Sequence, residues 1–312
     1  MPPTELRCGV FGAGALGRHH VRLLDDLAGA ERVGLYDPDP GVARAVAEEY
    51  GAREFTDFDS LAAAIDAAVV AAPTVSHREL ACELLARGVH VLVEKPIATS
   101  AEEADAMIAA ARAAGRVLAV GHVEFHNPAV ASLLGVGGSP RFVEVERLGV
   151  FSPRSLDIDV VADLMIHDLQ ILHALDGSEL VEVRAVGVPV LSGRVDIVNA
   201  RLAFASGMVA NVTASRVSSE RVRKLRAFYP ERYRSLDYQQ QEIKGYRLDV
   251  AGGERKIVAE TIAVEKGEPL RRELEAFLAA CRGEPSRSVS GADARRALVT
   301  AAAVAAAAAP AG

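Results

Sequence analysis

The sequence predicts an α/β protein: a doubly wound parallel sheet comes first, and an α+β domain with a large, mostly antiparallel open sheet follows. Three observations predict it. Over the first third of the 312-residue chain, short apolar runs alternate with segments of helical period. A glycine-rich turn, GAGALG, joins the first run to the first helix. From Arg141 onward the continuous runs give way to apolar–polar alternation, as in Val143-Glu144-Val145-Glu146.

Leu6 to Phe11 reads as the first strand and Ala15 to Ala28 as the first helix. Arg32 to Tyr36 is a strand, Val42 to Tyr50 a helix, and Ala67 to Ala72 a strand bounded by Pro73. Glu79 to Arg87 has helical spacing and stops at Gly88, a residue suited to the left-handed turn after a helix. Val89 to Val93 is again a strand, Ala101 to Ala114 a helix ended by Gly115, and Val117 to Val120 a strand. Such unbroken apolar strands are buried on both faces, which a parallel sheet covered by helices requires. Further along, Leu202 and Phe204 alternate with Arg201 and Ala203, and Asn211, Thr213 and Ser215 share one face. Val181 to Leu191, Val222 to Tyr229, Gln241 to Val250 and Lys256 to Val264 are further strands. One long helix, Val160 to Leu175, enters early, and a helix Pro269 to Cys281 follows the last strand. The tail Leu298 to Pro310 is alanine-rich and too short to span a bilayer, so it reads as a terminal helix packed back on the body. The expected domains are residues 1–122, 123–282 and this C-terminal helix, 283–312.

Composition narrows the function. A net charge of −7 excludes the basic surface that sequence-independent nucleic-acid binding needs, and no basic amphipathic stretch suggests a membrane surface. The N-terminus enters a strand without the charged and apolar regions of a signal peptide, so a cytoplasmic protein is expected. Cys8, Cys82 and Cys281 are too few and too scattered for a disulfide framework or a zinc cluster, and Cys8 and Cys82 are expected in the core.

Gly12-Ala13-Gly14-Ala15-Leu16-Gly17 is GxGxxG in its required setting: after a strand, at the start of a helix, with Asp37 at the end of the next strand. In a Rossmann dinucleotide site Gly12 permits the tight turn, Gly14 lets the backbone approach the pyrophosphate, and Gly17 lets helix and strand pack closely. The helix N-terminus offers free N–H groups to the phosphates. Asp37 would accept hydrogen bonds from the adenosine ribose, and a 2′-phosphate there would meet its carboxylate with no arginine beside it. NAD is therefore the expected cofactor, with Pro73 and Thr74 lining the cleft and His77 either beside the nicotinamide or only capping the next helix. Glu94, Lys95 and Pro96 end a buried strand at the side of the sheet where ligands bind, and proline restrains the residue before it. From the residues alone, a lysine aimed into the cleft and a plain surface Glu-Lys pair stand about level. Asp163 and His167 are four apart on the long helix and share a face. A lone histidine in an apolar helix is more often a core residue than a catalyst.

Together GVFGAGALG, AAPTVSHRELACELLARGVHVLVEKP, GHVEFHNPAV and DLMIHDLQIL resemble the Gfo/Idh/MocA oxidoreductases over nearly the whole chain. The resemblance implies that Glu94 contacts the nicotinamide ribose and that Lys95 hydrogen-bonds the reacting substrate oxygen. It implies His167 as general base and Asp163 as substrate holder or orienter. It also implies a secondary alcohol of a sugar as substrate, with hydride passing to NAD. The segments around DIDVVADLMIH and RVRKLRAFYPERY are most similar to a bacterial subgroup that includes UDP-N-acetylglucosamine 3-dehydrogenases, which supply a 3-keto sugar to an aminotransferase for lipid A. Arg154 would then contact the diphosphate and His122 the substrate. The sequence departs from the family on the substrate side, with Met165 where many members have glycine, and with Phe125 and His126 in place of arginine and an aromatic. Two other readings share the fold: a non-catalytic NAD-binding regulator and a biliverdin-reductase-like reductase. His122, Glu124 and His126 would share a face if extended, but they lack a fourth ligand, and no metal is expected. The basic run Arg221 to Arg226 reads as a solvated strand face more than as a phosphate site. A homodimer or homotetramer through the C-terminal sheet is expected, since an open sheet needs its other face covered.

Overall fold

The computed structural model describes residues 5–135, 137–151, 159–250 and 254–309. The chain divides into two compact units, Met1–Val123 with Glu268–Arg295 and Glu124–Gly267 with Arg296–Gly312.

The first unit is a five-stranded parallel sheet in the order β2-β1-β3-β4-β5. In chain order it contains β1 (Leu6–Phe11), α1 (Gly17–Leu24), β2 (Ala30–Tyr36), α2 (Pro40–Tyr50), α3 (Phe58–Ala64), β3 (Ala67–Val70), α4 (His77–Ala86), β4 (His90–Glu94), α5 (Ala101–Ala114) and β5 (Leu118–Gly121). Local chemistry sets the helix ends. Asp39 caps α2 by accepting from the backbone N–H of Gly41 at 2.8 Å, with Pro40 in the first turn. Ser100 caps α5, whose first turn carries Glu102 and Glu103 against the positive end of the helix dipole. That helix ends at Gly115, in the left-handed conformation at φ 61°. The short α3 was not expected from the sequence; Asp57 caps it, accepting from Ser60 N–H at 2.7 Å.

The second unit is an eight-stranded sheet in the order β13-β12-β11-β10-β6-β9-β8-β7. A helix α6 (Pro128–Gly135) precedes β6 (Phe142–Val150). A π-helical turn over Val161–Met165 then leads into α7 (Ile166–Asp176). The remaining strands are β7 (Leu180–Val188), β8 (Ile197–Phe204), β9 (Val209–Ser218), β10 (Val222–Tyr229), β11 (Arg232–Asp237), β12 (Glu242–Asp249) and β13 (Lys256–Ile262). All pairings are antiparallel except β6 with β9. The alternation seen in the sequence is the face pattern. Val143 and Val145 pair in register with Ala210 and Val212 and are buried, while Glu144 lies opposite Arg226, 3.0 Å away. These side chains join Met165, Leu169 and Leu172 in one apolar core.

The expected boundary at residue 282 is corrected. Helix α8 (Pro269–Cys281) follows the last strand of the second sheet but belongs to the first unit. Leu270, Leu274, Phe277 and Leu278 form one apolar stripe, buried with Val21, Leu24 and Ala47. At about 1.5–3 kcal/mol per buried side chain, that face contributes about 6–12 kcal/mol, an upper estimate, to holding the helix there. Helix α9 (Gly291–Ala308) starts in the first unit, where Ser290 and Asp293 cap it and Arg295 pairs with Asp105 at 2.5 Å. Ala297, Ala301, Val304 and Ala308 then join the core of the second unit. Cys8 is in the core, where burial pushes its thiol up to about 12. Cys82 is only half-buried, contrary to expectation: the buried residues of α4 are His77, Ala81, Leu84 and Leu85. Among the described residues no helix is long and apolar enough to cross a membrane.

Candidate active site

In the first unit the glycine-rich turn sits at the carboxyl ends of β1 and β3. Gly12 has φ +90°, and a methyl group there would lie 2.6 Å from the Ala71 carbonyl oxygen. At Gly17 a methyl would come within 1.8 Å of the Gly12 carbonyl oxygen, so helix and turn touch through this residue. Gly14 differs from both: nothing lies within 4 Å of the position its Cβ would occupy. The exposed backbone of Gly14, Ala15 and Leu16 therefore borders open space at the start of α1, where peptide N–H groups lack helical partners.

Asp37 follows β2 directly. One carboxylate oxygen accepts from Ala13 N–H at 2.7 Å, and the other from Asp39 N–H at 2.9 Å. The acid thus fixes the glycine-rich turn, and its remaining lone pairs can still accept ribose hydroxyls. A cavity of about 500 Å³ opens beside it, lined by Gly12, Gly14, Asp37, Pro38, Pro73 and Ser76, among others. Apolar walls, a carboxylate and an open glycine fit the adenosine and pyrophosphate of a dinucleotide.

Thr74 lies in a 3₁₀ turn, Thr74–Ser76, beyond β3. His77 is almost wholly buried, and its ring spans two loops. Nδ1 lies 3.0 Å from the Pro96 carbonyl oxygen and Nε2 2.9 Å from that of Ala72. Its part is to tie the loop after β3 to the loop after β4. Lys95 is half-buried at the end of β4 and precedes a cis bond to Pro96. The carboxyl of Glu94 is not turned to solvent. It lies in the interior of the unit, 2.7 Å from His20 Nε2, and accepts from Lys95 N–H at 3.3 Å. The alternation of β4 points residue 94 toward α1, so its carboxyl has His20 as a core partner.

His122 is fully buried. The extended face expected for His122, Glu124 and His126 is replaced by a 3₁₀ turn over Val123–His126. Among the described residues these three do not form a metal-ligand cluster. Arg154 lies outside the described residues.

In the second unit Asp163 stands within the π-helical turn, half-buried, and His167 is buried in the first turn of α7. Such turns recur at functional sites because they re-aim side chains. Sequence reasoning missed the network beneath them. Arg147, from β6, holds both oxygens of Asp168 at 2.6 and 2.9 Å and donates to Glu124 at 2.9 Å. Tyr238 donates its hydroxyl to Asp168 at 3.1 Å, and Arg223 donates to Glu124 at 3.0 Å. Burial alone would lower the Arg147 guanidinium, but Asp168 and then Glu124 hold it well above its ordinary value. Arg223 is pushed down, first by burial and then by the like charge of Arg147. This network clamps α7 at the residue next to His167. Arg223 therefore points inward from the basic run, while Arg226 pairs with Glu144 as a solvated face would.

Residues 6–122 match the model of an oxidoreductase family with an NAD-binding Rossmann fold. The chain is 39% identical over 300 residues to a UDP-N-acetylglucosamine 3-dehydrogenase of Acidithiobacillus ferrooxidans, and the match covers 95% of each chain. A solved structure of a UDP-N-acetylglucosamine 3-dehydrogenase from that organism superposes with a TM-score of 0.90 at 38% identity, over 97% of each chain. A levoglucosan dehydrogenase solved with NADH and levoglucosan shares the fold at 21% identity and a TM-score of 0.86, over 97% of each chain.

Proposed function

Because the chain belongs to the Gfo/Idh/MocA family of NAD-binding oxidoreductases, we propose that it oxidises a nucleotide sugar, UDP-N-acetylglucosamine, to the 3-keto form. The observation that carries the substrate is the reach of the similarity. It spans 95% of both chains, so it includes the second unit with its substrate-side helix as well as the cofactor domain. Oxidation of the carbinol removes a hydride from its carbon and a proton from its hydroxyl. His167 takes that proton, and Asp163 orients the base or the sugar. Lys95 hydrogen-bonds the substrate oxygen and stabilises the negative charge that develops on it. When bound, NAD would supply the hydride acceptor, and Gly14, Asp37 and Pro73 would hold and orient it. Arg154 is a candidate contact for the diphosphate.

The ketone product is the kind of substrate that an aminotransferase consumes. A regulator or a biliverdin-type reductase is disfavoured, since the chain is similar to dehydrogenases of a nucleotide sugar, of inositol and of a sugar phosphate. Pairing of two copies through the second sheet is supported by exposed Val186, Tyr246 and Ile257 on its outer strands, and light scattering on the purified protein would reveal it.

The test is incubation with NAD and a panel of UDP-sugars and polyols, following NADH absorbance. UDP-N-acetylglucosamine is expected to react, and Lys95→Ala and His167→Ala are expected to abolish turnover while NAD still binds. If only polyols react, the substrate assignment is wrong and the dehydrogenase class stands. Unchanged turnover in Lys95→Ala would remove that residue from the mechanism.

A further inference from the structure

Three titratable side chains that the chemistry above does not use meet inside the first unit. His20 comes from α1, Glu94 from the end of β4 and Glu273 from α8, and all three are buried. One nitrogen or carboxyl oxygen from each lies within 4.8 Å of the others. His20 and Glu94 are already in contact at 2.7 Å, whereas neither carboxyl oxygen of Glu273 has a hydrogen-bond partner among the described residues. A fourth wall is Gly121, on β5. A methyl there would come within 2.8 Å of the Glu94 carboxyl, so the missing side chain makes the space that Glu94 fills.

A charged, unpartnered carboxylate inside an apolar helix interface is untenable, since its desolvation is not offset. The titratable groups facing Glu273 are His20 from α1 and Glu94 from β4. His20 is taken up by Glu94, so no cation is left for a second negative charge. A proton on Glu273 resolves the conflict and makes it a donor within 4.8 Å of a group that accepts.

We propose that Glu273 is a positioning residue, held as a neutral carboxylic acid that turns its O–H toward Glu94 and, with His20, fixes the backbone from which Lys95 projects. Burial pushes the Glu273 carboxyl well above the usual carboxylate range, and the neighbouring Glu94 pushes it further. The link to Lys95 is short, because the Glu94 carboxyl accepts from the backbone N–H of Lys95 itself. Helix α8 thereby reaches the catalytic lysine through two side chains. The inference rests on Lys95 acting at the substrate.

The test compares Glu273→Gln with Glu273→Met. The amide keeps a donor of the same length, so kcat should stay within about twofold of wild type. The thioether fills the space without a donor, and kcat should fall about tenfold or more, with the KM for NAD little changed. Equal losses in both variants, or none in Glu273→Met, would overturn the proposal. Should the variants fail to fold, infrared spectra of the wild type labelled with ¹³C-glutamate decide the protonation directly. A protonated glutamic acid band at neutral pH is expected, and its absence refutes the idea. Metal analysis of the purified protein belongs to the same experiment: a stoichiometric divalent ion bound to these three side chains would also overturn it. The infrared and metal results do not depend on turnover, so they stand even if every UDP-sugar proves inert.

Discussion

Replacing Arg147 with methionine removes the cation from a buried network and leaves its volume largely filled. Three hydrogen bonds disappear, two to Asp168 and one to Glu124, together with the guanidinium stacked 5.0 Å from the Tyr238 ring. Among the described residues Glu124 keeps Arg223, but Asp168 keeps only the Tyr238 hydroxyl as a side-chain donor. Breaking a buried pair by removing one partner costs about 3–5 kcal/mol. For a unit of this size each kcal/mol corresponds to about 2–4 °C, so the second unit should melt about 6–20 °C lower. The loss should also depend on pH. In the wild type burial works to raise the Glu124 carboxyl, but Arg147 and then Arg223 outweigh it and hold the group below its ordinary value. Such a group contributes stability above its unfolded-state value and loses it as pH falls through the folded value. With Arg147 gone, desolvation weighs more on Glu124 and its folded carboxyl titrates higher, so acid relieves the variant while it weakens the wild type. The gap between them should narrow from about pH 8 to about pH 5. The chain has no tryptophan, so scanning calorimetry is the suitable assay, with NAD affinity as the control for the first unit. A shift under about 3 °C, or a gap that does not change with pH, would refute the account of this network as a charge clamp.

Other expectations concern the cofactor side. Gly14→Ala should fold and melt like the wild type, because its methyl meets nothing, yet bind NAD more weakly. Gly17→Ala should not fold stably, since its methyl would occupy the Gly12 carbonyl. Equal effects of the two, by calorimetry and NAD titration, would contradict the glycine roles. Asp37→Ala loses the acceptor for Ala13 N–H and should weaken NAD about tenfold or more while narrowing the preference over NADP; an unchanged NAD/NADP ratio would count against Asp37 as the selector. His77→Ala frees the carbonyls of Ala72 and Pro96 and should cost the first unit about 1–3 kcal/mol, with a matching drop in melting temperature; no drop would mean that the ring is not a tie.

What the sequence made legible was local. The parallel strands announce themselves because residues such as Val91, Leu92 and Val93 are apolar on both faces, and GxGxxG announces itself through spacing. Strand β11 escaped notice because Arg234 stands on its inward face, paired with Glu260 at 3.2 Å, and breaks the apolar alternation. Helix α8 was recognised as a helix but assigned to the wrong body, since a stripe such as Leu270, Leu274, Phe277 and Leu278 states that a core is needed and not which one. The polar networks were invisible for the same reason. His20 and Glu94 are 74 residues apart, and Arg147 and Asp168 are 21 apart, with no periodicity to join them. Asp57 before Ser60 was a readable cap for α3, although the helix it starts spans only seven residues.

Helix α9 changes the order in which this protein can come into being. Its later residues complete the hydrophobic nucleus of the second unit, so that body depends on a segment the ribosome makes late. Neither unit can be excised as an uninterrupted fragment, and a nascent chain halted before residue 291 would hold the second core unfinished and in need of protection.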